Sequence, residues 1–99
     1  MTYPLILVLE AELELLEAAK RHDEIREGLG DDFIENVDAA LNRICRVPRQ
    51  SPIVLGTARV ALVERFPYIV VYEFAFERIR VLAIQHSHRD PEAWQKRVD

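Results

Sequence analysis

The apolar positions of this chain begin as a run and then become a helical stripe. "YPLILVL" (Tyr3 to Leu9) has no polar break, the pattern of a strand buried on both faces. From Glu10 the period changes. "EAELELLEAAKRHDEIR" sets Leu9, Leu13 and Leu16 at helical spacing among glutamates, with Ala18, Ala19 and Ile25 nearby. Alanine, leucine and glutamate favour a helix, and glutamates in its first turns suit the positive end of the helix dipole. "EGLGDD" (Glu27 to Asp32) breaks that helix. Gly28 suits a left-handed terminus, and Asp31 or Asp32 suits the cap of the next helix. "DFIENVDAALNRICRV" then places Phe33, Val37, Leu41 and Ile44 on one stripe, and Pro48 ends it. So short a link predicts an antiparallel helical hairpin.

After the loop "PRQSP", the segments "IVLG", "TARVALVER", "YIVVYEFA" and "IRVLAIQH" read as strands rich in Val, Ile and Tyr. "RDPEAWQKR" opens a short helix at Pro91. The predicted order is β-α-α-β-β-β with a short C-terminal helix. The fold class is α+β, a mostly antiparallel twisted sheet covered by a helical hairpin. Length points to one domain over residues 1–99.

Charge refines this picture. The net charge is −4. Residues 1–38 hold three basic and eleven acidic residues, a balance of −8, and residues 39–99 hold ten and six, a balance of +4. An acidic helical half thus adjoins a mildly basic half. The overall sign disfavours a protein whose main task is direct nucleic-acid binding. Cys45 is the one cysteine, so no internal disulfide forms, and it is expected to be an inert core residue. The N-terminal stretch lacks the basic start of a secretory signal, and its apolar run is too short for a membrane span. A cytoplasmic protein is expected. No cofactor is implied.

"RVALVERFPYIVVYEF" lacks the glycine of a tight hairpin where its two strands meet. Together with "EAELELLEAA", "GLGDDFIENVDAALNRI" and "IRVLAIQHSHRDPEAW", it resembles the ParE branch of the RelE/ParE toxin superfamily, the plasmid stabilisation toxins. The resemblance covers nearly the whole chain. It places Arg59 and Arg65 on a central strand, and their even spacing puts them on one sheet face. Two readings of Arg65 stand side by side: a structural one, paired with Glu64 or Glu73, and a functional one, exposed beside Arg59. At the end of the first helix, where relatives carry "WY", this chain has His22 and Asp23, which predicts a more polar corner.

The resemblance implies a type II toxin that binds and inhibits DNA gyrase, causes growth arrest, and is neutralised by a cognate antitoxin whose disordered tail folds on it. The antitoxin would use an apolar groove of the hairpin and an adjacent sheet edge. A homodimer is compatible with it. The target-binding candidates are Arg59, Arg65, Tyr68, His86, Arg89 and Trp94. The alternative is a RelE-like ribosome-dependent endoribonuclease using Arg59, Arg65, His86 and Arg89. Phosphate cleavage needs clustered cations, yet Lys20 and Lys96 are the only lysines, and Trp94 stands where that branch has a tyrosine. A third reading is an inactive member that only binds an antitoxin. His86 and His88 are two possible ligands, too few for a closed metal site. His86 is expected at the sheet rim, and Trp94 is expected to pack the last helix on the sheet.

Overall fold

The computed structural model describes residues 2–98. The elements are β1 (Leu5–Leu7), α1 (Leu9–Ile25), α2 (Leu29–Arg46), β2 (Ile53–Leu55), β3 (Ala58–Leu62), β4 (Tyr68–Ala75), β5 (Arg78–His86) and α3 (Glu92–Gln95). They form one five-stranded sheet in the order β1-β5-β4-β3-β2. β1 runs parallel to β5, and every other pair is antiparallel. This is the expected α+β architecture. Four strands follow the hairpin instead of three, because Ile53 pairs with Arg59 and Leu55 with Ala58.

The first strand differs from its expected form. It has three residues and lies at a sheet edge, with Ile6 62% exposed. An apolar run bounded by Pro4 looks the same in sequence whether it is an edge or a centre. The early helix start explains its length. Val8 already donates its N–H to the Val81 carbonyl, and Leu9 is helical.

The hairpin helices bury different kinds of residue. α2 buries Phe33, Val37 and Ile44 of the expected stripe together with Ala40, and Leu41 is half-buried. α1 buries Ala11, Ala18 and Ala19, while Leu9, Leu13 and Leu16 are exposed. The leucine stripe at Leu9, Leu13 and Leu16 is therefore the outer face of α1. Small side chains bring α1 close to its neighbours. A Cβ built on Gly30 of α2 would lie 2.5 Å from the Ala19 carbonyl oxygen, so only glycine fits that crossing. Gly28 adopts the left-handed conformation with φ +88°, as expected. α2 starts at Leu29, earlier than Asp31 or Asp32 would place it. Asp23 of α1 accepts the Gly30 N–H at 2.7 Å and supplies the carboxylate at that helix start.

The hairpin covers one sheet face, where Val70, Tyr72, Ile79, Val81 and Ile84 join the helical core. Trp94, with Val98 beside it, covers part of the other face over Ala58, Val71, Leu82 and Ala83. A bulge makes that second cluster possible. Val71 pairs with Ala83 and Tyr72 with Val81, which leaves Leu82 as the extra residue of β5. Both Leu82 and Ala83 then reach the Trp94 side. Among the described residues, no helix is long and apolar enough to cross a membrane, and no group of three or more His, Cys, Asp or Glu is placed to hold a metal.

Candidate functional site

The "RFPY" stretch makes its reversal without glycine by two local devices. Arg65 takes the left-handed conformation itself, with φ +68°. Tyr68 then donates its N–H to the Phe66 carbonyl at 2.8 Å, closing a three-residue turn around Pro67. Pro67 needs no donor there, and its carbonyl accepts the Ser87 N–H at 2.8 Å. That bond ties the turn to the end of β5 and sets Tyr68 opposite His86.

These contacts bring several of the singled-out residues to one end of the molecule. Tyr68 is buried, and its ring packs 4.7 Å from Phe33 and 5.4 Å from His86. His86 ends β5 at the rim, as expected, and its Nδ1 accepts the His88 N–H at 3.1 Å. In the neutral ring that bond leaves the proton on Nε2. The outward nitrogen is thus a donor rather than a ready base. Arg89 is half exposed and reaches Glu14 of α1 at 3.4 Å. A small cleft of about 70 Å³ lies among Glu14, Glu17, Arg21, His86 and Arg89.

Glu14 organises this end, and the sequence reading did not single it out. Its carboxylate accepts from Arg97 at 3.0 Å, from the Gln85 amide at 2.6 Å and from the Ile84 N–H at 3.2 Å. Arg97 also donates to the Leu82 carbonyl at 2.8 Å. β1 pairs only with Ile79 to Val81, so beyond that point side chains satisfy the free backbone of β5. The signal was present: Ala11, Glu14 and Ala18 share one helical stripe, and it is the stripe α1 buries.

The other arginines lie apart. β3 ends at Leu62, so Arg65 belongs to the turn and not to the strand. Arg59 and Arg65 therefore do not share a strand face, contrary to expectation. β3 is also next to the sheet edge and not central. Arg59 pairs with Tyr72, which lies four steps along β4 from Tyr68, about 13 Å at the usual strand rise. Arg59 donates to the carbonyls of Ser51 at 2.7 Å and Arg49 at 3.2 Å. Tyr72 fixes the same loop through the Pro48 carbonyl at 2.7 Å. Neither structural partner considered for Arg65 is used: Glu64 lies 3.8 Å from Arg43, and Glu73 is held by Arg80 at 2.6 Å. Arg65 is exposed and makes no hydrogen bond or ion pair with any described residue. Trp94 is buried and packs α3 on the sheet.

The His22 corner is more aromatic than its composition implies. The His22 ring stacks on Phe33 at 4.7 Å with an interplanar angle of 12°, and Phe66 and Tyr68 complete the cluster. Its Nδ1 bonds the Ala18 carbonyl at 2.6 Å. Cys45 is half-buried instead of fully buried, and that burial raises its thiol pKa despite Arg46 nearby.

Apolar side chains of α1 and β2 are left uncovered. The α1 stripe exposes Leu9, Leu13 and Leu16 by 66%, 49% and 54%, flanked by the exposed acids Glu10, Glu12 and Glu17. The edge strand β2 exposes Ile53, Val54 and Leu55 together.

No family model matches the chain, and no curated protein matches it. Among solved structures, it is similar to a chain of the chromosomal ParDE TA system from P. aeruginosa, with a TM-score of 0.76 and 15% sequence identity. The match covers 86% of this chain and 96% of that one. At this identity the likeness is one of architecture: the chain has a ParE-like fold.

Proposed function

We propose that this protein is the toxin of a ParE-like toxin–antitoxin pair and that it acts by binding DNA gyrase, not by cutting RNA. The observation that carries the reading is the ParE-like fold together with the uncovered apolar side chains of α1 and β2. The leucine stripe of α1 suits an amphipathic helix, and the open β2 edge suits an added strand from a tail that folds on binding. Acidic flanks on α1 favour a basic partner helix and disfavour α1–α1 pairing between two copies.

A binding mode of action is supported by the state of the cations. Arg59 is engaged by loop carbonyls, and Arg89 by Glu14. Glu14 and Glu17 offset Arg21 and Arg89 around the cleft beside His86, so its lining does not form the cation cluster that phosphate cleavage needs. We assign target contact to Arg65, with His86 and Arg89 on the same rim. Tyr68 packs against His86 at that rim, whereas Arg59 holds the loop at Arg49 and Ser51 and Trp94 holds α3 on the other sheet face.

The test is DNA supercoiling by purified gyrase, with and without the protein. Inhibition that added antitoxin relieves is the expected result. Unchanged supercoiling at large molar excess removes the gyrase mechanism. Rapid cleavage of translated mRNA, without a DNA-damage response, would move the assignment to the endoribonuclease class. Absence of growth arrest would point to an inactive member.

A further inference from the structure

The β4–β5 hairpin turns through Phe76 and Glu77 alone, because Ala75 pairs with Arg78. Both turn residues have positive φ, +53° and +59°. Two-residue turns of this hand normally carry Asn-Gly, since a Cβ is disfavoured in the left-handed region. The Phe76 ring is 96% exposed and contributes nothing to the core. Left-handed backbone at two residues that are not glycine and a bare aromatic ring thus coincide at one tip. Such combinations concentrate where a protein meets a ligand.

Beside this tip lies a cavity of about 500 Å³. Pro4, Ile6, Ala75, Phe76 and Ile79 give it apolar walls. On its floor Glu73 is already neutralised, bonded by Arg80 at 2.6 Å and by the Thr57 hydroxyl. Arg78 also lines the cavity, is exposed, and has no ion pair with a described residue. Glu77, its acidic neighbour in sequence, does not line it.

We propose that Phe76 and this cavity form a recognition site for an extended protein segment that presents an apolar side chain beside a carboxylate. The volume accommodates one or two side chains. Arg78 offers the two-pronged geometry that carboxylates accept, and Phe76 provides an aromatic anchor at the rim. The site lies at the opposite end of the sheet from Arg65 and His86, because Ala75–Arg78 and Tyr68–His86 close the two ends of the β4–β5 ladder. It therefore stands whether or not gyrase is the target.

The experiment uses the full chain labelled with ¹⁵N and two blocked peptides, acetyl-Asp-Phe-Asp-amide and acetyl-Lys-Phe-Lys-amide. The acidic peptide should shift amide resonances of residues 5–6 and 73–80, and the basic one should bind about tenfold more weakly or worse. Arg78→Glu should reverse that preference. Phe76→Asn combined with Glu77→Gly should raise the melting temperature, because the turn is relieved, while weakening the acidic peptide about tenfold. Higher stability with lower binding is the signature sought. Equal affinity for the two peptides, shifts scattered over other surfaces, or undiminished binding by the double variant would overturn the proposal. So would concentration-dependent broadening of the same resonances without peptide, which would make a second copy of the chain the occupant.

Discussion

α1 and α2 lie side by side in one hairpin and read alike in sequence, yet they use their apolar residues in opposite ways. α2 turns Phe33, Val37 and Ile44 inward. α1 turns Ala11, Ala18 and Ala19 inward and Leu9, Leu13 and Leu16 outward. The difference follows from spacing between layers. Large residues on α2 fill a wide gap to the sheet, whereas α1 approaches β5 closely enough for Glu14 to bond its backbone. Helical periodicity identifies stripes; the distance to the neighbouring layer decides which stripe is buried.

The largest effect should come from the α2 side. Phe33→Ala should cost about 3–5 kcal/mol, because it leaves a cavity in a fully packed aromatic cluster. Leu13→Ala on α1 should cost less than about 1 kcal/mol, since the side chain is half exposed. Urea unfolding of both variants measures the contrast, and equal costs would break it. Next is Gly30→Ala. Its Cβ would meet a backbone oxygen that has little room to move, and about 1–3 kcal/mol should be lost although alanine is the better helix former. A stabilised variant would show that the helices separate easily. Asp23→Ala removes the carboxylate that α1 lends to α2 and should cost about 0.5–2 kcal/mol; thermal unfolding monitored by circular dichroism reads it. The smallest stability change is expected from Leu9→Gln, Leu13→Gln and Leu16→Gln together, within about 0.5 kcal/mol per site for surface positions. Under the proposed function, the same triple variant should fail to retain a co-expressed antitoxin on co-purification. Retained antitoxin would place the docking surface elsewhere.

Much of the architecture could be read from the chain because local rules and tertiary structure agree there. Gly28 marks the hairpin turn, Pro48 follows the end of α2, and the Val- and Ile-rich segments are strands. The rim position of His86 followed from its place at the end of a strand run. Other features depended on what lies across the fold. Arg65 and Phe76 have φ values that their residue types disfavour, so no turn rule reveals them. Asp23 acts on the next helix and His22 on the aromatics of "RFPY", contacts that exist only once the hairpin has closed. The separation of Arg59 from Arg65 turned on β3 ending at Leu62, three residues before the alternation in the sequence stops.

The parallel pairing of β1 with β5 has a consequence for synthesis. Leu7 leaves the ribosome well before its partner Val81. At ordinary translation rates the interval is about 4–15 s. During it, α1 has no β5 to lie on, and Glu14 lacks Gln85, Arg89 and Arg97. β1 cannot take its place in the sheet until Ile79 to Val81 have been made. A nascent chain would therefore keep the α1 leucines and Glu14 accessible together, giving a basic amphipathic partner an opportunity to bind before the end that carries Arg65 and His86 is complete.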